Sequence, residues 1–139
     1  MLPEVQTAIL SALQQIQTNG VETFKTRERW QGDIQELMKT ATKLPSAHVV
    51  MAVTDYADPQ TIGAKAAPAD MVWSVIVISQ NLQSKAAGVD DVLALVDQVV
   101  DGLTRIKTSA GWLWPAQAKF LATENGKTAY GIHFTLRKE

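Results

Sequence analysis

Apolar and polar residues alternate along two stretches close to the C-terminal end of the chain. The apolar positions are 116, 118, 120 and 122 in the first stretch and 130, 132, 134 and 136 in the second. Between the two stretches lies the pair Asn125-Gly126, and both residue types tolerate the positive φ angles of a type I′ turn. This combination predicts a β-hairpin.

Two other stretches repeat apolar residues every three or four positions, which is typical of amphipathic helices. The first covers residues 4–17, where Pro3 suits a first helical turn and Asn19-Gly20 suits a stop. The second begins at Asp90 or its neighbour, after a polar connection over residues 80–88. Its apolar stripe consists of Val92, Leu93, Val96, Val99, Val100 and Leu103.

The central part of the chain predicts strands separated by one short helix. Residues 21–30 mix strand-favouring with charged side chains, a pattern typical of a polar edge strand. Asp33 and Glu36 have the spacing of a capping box, and the helix that they begin must end before Pro45. Residues 48–54 and 71–79 predict two apolar strands, and residues 56–69 form a long loop between them.

These elements predict an α+β fold with the order α-β-α-β-β-α-β-β. We expect a mostly antiparallel, four- to five-stranded sheet with the helices packed mainly on one of its faces. The 139 residues correspond to one domain, residues 1–139. A chain of this length can bury a sufficient core without disulfides or structural metals.

Composition limits the classes of partner. The chain has 13 basic and 14 acidic side chains, so it lacks the basic excess that typifies nucleic-acid binding. It has no cysteine, which excludes disulfides and thiolate metal sites. The N-terminal residues do not resemble a signal peptide, and the longest apolar stretch is far short of the ~20 residues that span a bilayer. We therefore expect a cytosolic protein without a nucleic-acid or membrane partner.

No motif indicates catalysis. His48 and His133 lie on predicted strands that could pair, but the spacing of a metal motif is missing and ordinary sheet histidines are more common. Asp55, Asp58 and Asp70 flank the long loop, where carboxylates begin turns more often than they act as acid and base. Phosphate-loop and nucleophile-elbow motifs are absent, and the serines show no nearby pattern of His and Asp. We expect no catalytic residue, metal or cofactor.

Two groups of side chains are candidates for protein contacts. Trp112 and Trp114 are two residues apart and so point the same way on a strand, either into the core or towards a partner. Lys25, Arg27 and Arg29 alternate in the same manner. They form either a solvated edge or a basic rim that meets acidic groups, such as those of the long loop, on a neighbouring subunit.

The element order and several local segments resemble the tail terminator, or minor tail, proteins of Mu-like contractile-tailed bacteriophages and prophages. The resembling segments are VETFKTRERW after the first helix, LPSAHVVMAV before and within the central strand, MVWSVIVIS, and VDDVLALVDQVVDGL followed by a Trp-rich strand. The long loop departs from the resemblance because it carries few charges and offers little that can be matched to the family residue by residue.

The resemblance implies a structural protein that forms a ring, usually a hexamer, caps the tail tube and contacts the head connector. Its implied partners are copies of itself, the tail tube protein and the head–tail connector protein. It would reside in the bacterial host cytoplasm during assembly and later in the virion tail. The candidate contact residues are Lys25, Arg27, Arg29, Tyr56, Asp58, Gln60, Trp112 and Trp114.

Two other classes of protein remain as alternatives. One is a small ligand-binding or enzymatic α+β domain of bacterial origin, which would need a concave pocket with converging polar groups. The other is a toxin-neutralising adaptor that acts as a monomer or dimer on one tight partner.

Overall fold

The computed structural model describes residues 2–41, 43–57, 67–80, 85–124 and 126–137, with only the backbone at 53–57, 67–70, 85–90 and 137. Within these residues the chain forms three helices, a two-stranded hairpin and a six-stranded sheet. The helices are α1 (Leu2–Gln14), α2 (Ile34–Thr40) and α3 (Lys85–Leu103). The strands are β1 (Gln17–Thr18), β2 (Val21–Glu22), β3 (Thr26–Arg29), β4 (Ser46–Ala57), β5 (Ala67–Gln80), β6 (Lys107–Thr108), β7 (Gly111–Glu124) and β8 (Lys127–Arg137).

The large sheet has the strand order β3-β4-β5-β8-β7-β6. Strand β3 runs parallel to β4, and every other pair in this sheet is antiparallel. The α+β class is therefore confirmed, but the sheet is mixed and larger than the predicted four to five strands. The predicted order α-β-α-β-β-α-β-β is wrong in detail, because the short strands β1, β2 and β6 make it α-β-β-β-α-β-β-α-β-β-β. The additional strand is the two-residue β6, which is too short to show an alternating pattern.

The helices divide between the two faces of the sheet. Alternate residues of β5, from Met71 to Val77, are buried in a core cluster with α1 and α3. Ile76 and Ile78 point the opposite way and belong to a second cluster with Leu37 and other residues of α2. We call these surfaces the α1/α3 face and the α2 face. Two of the three helices share one face, and the short α2 covers part of the other.

The C-terminal hairpin forms as the alternation predicts. Pairing of Glu124 with Lys127 leaves two residues in the turn, and Gly126 has a φ angle of 74°. The strand register shifts between Pro115 and Gln117 and again between Phe120 and Ala122. All side chains from residue 115 to residue 120 are exposed, so the apolar members of this alternating stretch do not fill the core.

The N-terminal helix ends earlier than the predicted residue 17. Asn19 and Gly20 have φ angles of 54° and 81° and form the two-residue turn between β1 and β2. The Asn-Gly pair therefore closes a hairpin, as type I′ turns do, rather than capping a helix.

Helix α3 begins at Lys85, so the predicted polar connection over 80–88 is wrong for its second half. It packs closely on the end of α1. A Cβ atom at Gly102 would lie 2.9 Å from Cγ1 of Ile16, a distance that side chains do not tolerate. The absence of a side chain at Gly102 thus sets how closely α3 approaches the segment after α1.

The short helix α2 begins and ends as the sequence indicates. The backbone N–H of Glu36 donates to Oδ1 of Asp33 at 2.7 Å, which is the predicted N-cap. At the other end, Nζ of Lys127 donates to the carbonyl oxygens of Met38 and Ala41. This contact ties the C-terminal end of α2 to the start of β8 and satisfies carbonyls that a helix end leaves unpaired.

Strands β4 and β5 extend further than predicted. Tyr56 pairs with Pro68, and Ala57 pairs with Ala67. Both ends of the predicted loop over 56–69 are therefore strand. Residues 58–66, the centre of that loop, lie outside the described residues.

Candidate interaction surface

The basic residues predicted on the first edge strand differ in their surroundings. Lys25 precedes β3 and is exposed, and Arg29 at the end of β3 is exposed as well. Arg27 is partly buried. Its Nη1 donates to the carbonyl of Phe24 at 2.7 Å and contacts Oε2 of Glu22 at 3.1 Å. Arg27 therefore has partners within the chain, which leaves Lys25 and Arg29 as the better-placed cations for an outside contact.

Strand β3 confirms only the second half of the edge strand predicted over residues 21–30, because Val21–Glu22 forms β2 of the separate hairpin. It lies at one end of the sheet and pairs with β4 alone within the described residues. Its register with β4 places Arg27 and Arg29 beside Ala47 and Val49, which point to the α1/α3 face. Glu28 between them points to the α2 face.

The two neighbouring tryptophans lie on β7. Leu113 between them is fully buried among the residues of the α1/α3 face, so Trp112 and Trp114 point to the opposite face. Both are half-buried, and Nζ of Lys107 lies 5.8 Å from the ring centroid of Trp112. Neither is a fully buried core residue, and their role in partner contacts stays a prediction.

The remaining candidates belong to the predicted loop. The backbone of Tyr56 lies in β4, but its side chain is not among those that the structure describes. Asp58 and Gln60 lie outside the described residues. Their assignment to a contact surface likewise stays a prediction.

The outer edge of β7 is a candidate surface that sequence reasoning missed. Strand β6 covers only its beginning, through the pairs Lys107 with Trp112 and Thr108 with Gly111. Phe120 further along is 51% exposed and meets Tyr130 edge to face at 5.8 Å between ring centroids. The signal in the sequence is the run of small and polar residues around Phe120, but only the strand order shows that this run lies at an edge.

A polar cluster links β3 to β4 on the α2 face. Nε2 of His48 lies 2.8 Å from Oγ of Ser46. Oε1 of Glu28 lies 3.0 Å from Nδ1 of His48, although that nitrogen is not aligned for a hydrogen bond. The sequence motifs did not predict this cluster. The available signal was the spacing of Ser46 and His48, which are two residues apart on one strand and so point to the same face.

The order acid, histidine, serine is that of a hydrolase triad, but burial argues against catalysis. Ser46 and His48 are each only 1% exposed, so a substrate could not reach the hydroxyl group. The ring of Trp30 packs edge-on against His48 at 6.4 Å between centroids. The cluster therefore holds the edge strand β3 to β4.

Burial lowers the pKa of His48 from its usual 6.5, and the neighbouring Glu28 opposes this shift only in part. The folded protein thus keeps His48 neutral at pH values where the unfolded chain binds a proton. We expect the free energy of unfolding to fall as the pH drops below about 6.5, by at most ~1.4 kcal/mol per pH unit for this group. Urea unfolding between about pH 7.5 and 5.5 measures the slope.

The variant His48→Asn should have a flatter pH slope than the parent protein. His133→Asn is the matched control, because burial and Lys119 also lower the pKa of His133, which is less deeply buried. Its effect on the slope should be smaller. Equal slopes for the parent and His48→Asn would contradict the assignment.

The two histidines do not form a common site. His133 on β8 contacts Oγ of Ser74 on β5 through Nδ1 at 3.1 Å, whereas His48 lies on β4. Strand β5 therefore separates them. Within the described residues, no group of three or more His, Asp or Glu side chains is arranged to hold a metal ion.

Comparisons with known proteins agree with these observations. The family model described as "Phage tail terminator protein" matches residues 19–130, which is most of the chain. The chain belongs to the phage tail terminator family. It is accordingly a structural component of a virion tail, which assembles with other tail and head components.

The fold of this tail terminator also occurs in a solved particle. A chain in the structure titled "Virion of native gene transfer agent (GTA) particle" aligns with a TM-score of 0.61 and 19% sequence identity. The alignment covers 98% of the tail terminator and 95% of the other chain, and at this identity it shows the fold alone. No curated protein matches by sequence. Among the described residues, no helix has the length and apolar character to cross a membrane.

Proposed function

We propose that this tail terminator forms a closed ring, a hexamer, on the end of the tail tube and presents the other side of the ring to the head connector. The family match over residues 19–130 carries the proposal. The resemblance of the sequence to Mu-like phages and prophages supports the ring, its six-fold symmetry and the assignment of tube and connector as partners.

The difference between the two ends of the sheet supports a ring. Cyclic assembly needs two different surfaces on each subunit, so that one surface of each copy meets the other surface of the next. The two ends of the sheet differ in this way. The end formed by β3 is short and charged, whereas the end formed by β7 is long and exposes Phe120.

The chemistry of the described residues supports a role in binding rather than catalysis. The histidine–serine cluster is buried, and the groove between α1 and α3 is an open surface depression lined by Ile16, Gln98 and Gly102, among others. Gln98 is engaged there by Thr18 and Thr23 at 3.4 and 3.2 Å. The enzymatic and toxin-neutralising alternatives gain no supporting observation.

The proposal includes the cellular setting. The chain would remain in the bacterial host cytoplasm until tail assembly, consistent with a formal net charge of -1 and no cysteine. Lys25, Arg29 and the residues around position 58 would contact neighbouring copies or the tube. One domain, residues 1–139, would supply all of these contacts.

Negative-stain electron microscopy tests the proposal directly. The purified protein is imaged alone and after mixing with uncapped tail tubes of the particle that encodes it. We expect six-fold rings at one end of each tube, because ring closure converts weak contacts into a cooperative assembly. The tubes should also stop growing when more tube protein is added.

Rings without tubes are not required, since the tube end can act as the template for closure. Bovine serum albumin at the same concentration is the control for adventitious density at tube ends. Bare tube ends that continue to grow in the presence of the tail terminator would contradict the proposal.

A further inference from the structure

The outer edge of β7 carries backbone groups that no described strand uses. The backbone of Leu113 points towards this outer edge, because its N–H donates to the carbonyl of Ile106 and its carbonyl accepts from the N–H of Arg105. Leu113 pairs with Leu136 of β8. Successive residues of a strand direct their backbone N–H and C=O groups to opposite sides. Because Leu113 points outward and pairs with Leu136, the residues of β7 that pair with every second residue of β8, counted back from Leu136, also point outward. Beyond Leu113 these are Pro115, Ala118, Phe120 and Thr123.

This edge has little of the protection that exposed edges usually carry. Pro115 lacks an N–H group and Lys119 is charged, but the other exposed residues from 116 to 120 are uncharged. The two register shifts bend the strand without covering it. A long edge of this kind is a template for a further strand.

The opposite edge of the sheet offers such a strand. The N–H of Trp30 donates to the carbonyl of Val49 at 2.9 Å, so Trp30 is directed to β4. By alternation, Arg27 and Arg29 direct their backbone groups away from β4. Both sheet edges therefore present backbone groups that an extended partner strand could pair with.

We propose that β7 of one copy pairs edge to edge with β3 of the next copy, so that the six-stranded sheets join around the ring. This inference rests on the proposed ring and identifies its subunit contact. The occupant of the β7 edge is thus a second copy of this chain, bound through Thr26–Arg29.

Side chains on both faces of the two edges are complementary. On the α2 face, Lys119 of β7 would meet Glu28 of β3, and both are exposed. Because Lys119 and Glu28 both direct their backbone groups away from this contact, they can lie opposite each other only in an antiparallel pair. On the α1/α3 face, this register places Ala118 opposite Arg29, and Phe120, which pairs with the half-buried Tyr130, lies diagonal to Arg29. The contact of a guanidinium group with an exposed aromatic ring is favourable. A pair of opposite charges across two paired strands is also favourable.

Pairing of identical edges is less favourable. Two β3 edges would bring Arg27 and Arg29 of both copies together, and like charges across a strand pair are destabilising. Two β7 edges would give a two-fold dimer, which closes on itself and leaves no surface for ring growth.

Disulfide mapping tests the contact, because the chain has no native cysteine. Arg29→Cys is combined in one chain with Ala118→Cys or with Phe120→Cys, so that two registers are sampled. All three positions lie on the α1/α3 face, as a disulfide across paired strands requires. Rings on tubes are oxidised and analysed on a non-reducing gel, with circular dichroism to confirm folding.

We expect disulfide-linked ladders for at least one of the two pairs. The cross-linked fraction should be about tenfold or more above that of the control pair Gln14→Cys with Ala118→Cys, because the contact raises the effective thiol concentration. Gln14 is exposed at the end of α1 and belongs to neither sheet edge. Cross-linked dimers of the single variant Ala118→Cys would show that β7 pairs with itself and would overturn the inference.

The outcomes separate the inference from the proposed function. Six-fold rings at tube ends without cross-links from either pair overturn the strand contact and leave the ring intact. Absence of rings for the parent protein refutes both. Ladders from a β3–β7 pair, together with rings, support both.

Discussion

Replacing Trp73 with alanine should lower the free energy of unfolding by about 3–5 kcal/mol, as removal of a buried aromatic side chain does. Trp73 is 2% exposed and lies on β5, between β4 and β8. It is the largest side chain in the core of the α1/α3 face. Since a domain of this size is stable by only about 5–15 kcal/mol, the substitution should remove a large fraction of the free energy of unfolding.

Trp73→Phe is the matched control. Nε1 of Trp73 is buried and has no hydrogen-bond partner among the described residues, so the indole N–H contributes a desolvation cost. Phenylalanine keeps most of the apolar contacts and removes that N–H group. We expect it to lose well under half of the stability that alanine loses. Urea unfolding of the three proteins measures the difference, and equal losses for the two variants would contradict this account.

Local pattern predicted those elements whose structure depends on local chemistry. The C-terminal hairpin follows from alternation and an Asn-Gly turn, and the cap of α2 follows from Asp33 and Glu36. The Asn-Gly pair after α1 predicts a helix end, but the structure has a hairpin turn there. Asn19-Gly20 follows a helical pattern, and two residues in the left-handed conformation fit a helix end as well as a hairpin turn.

The extent of the sheet could not be predicted from pattern. Strand β6 is two residues long and β3 is four, so neither shows a period. The parallel pairing of β3 with β4 depends on the segment that includes α2, which crosses from one strand to the other. Tertiary packing decides such features, and local sequence does not record them.

The candidate surface was predictable in part. Charges on residues 25–29 indicated an edge strand, and the structure places β3 at an edge. The β7 edge was missed because Ala116, Ala118 and Phe120 alternate with polar residues, which usually indicates a buried face. Only the strand order shows that the helices of the α1/α3 face leave this end of β7 exposed.

Ala118→Pro should prevent ring assembly while the fold remains. The N–H of Ala118 faces the open edge, so proline removes no bond within the sheet. It would remove a donor from every β7–β3 contact in the ring. A lost hydrogen bond costs about 0.5–1.5 kcal/mol per contact, and the loss recurs at each subunit. The concentration needed to cap tubes should therefore rise by about tenfold or more, which a titration imaged by negative stain measures.

Ala118→Ser provides the control, because serine keeps the backbone donor at the same exposed position. It should cap tubes at the parent concentration. Lys119→Pro tests the direction of the edge, since the N–H of residue 119 faces β8 and its loss should destabilise the fold itself. If Ala118→Pro capped tubes like the parent, the β7 backbone would not take part in the ring contact. If it unfolded as Lys119→Pro should, the N–H of Ala118 would be bonded within the sheet and the proposed edge would not be open.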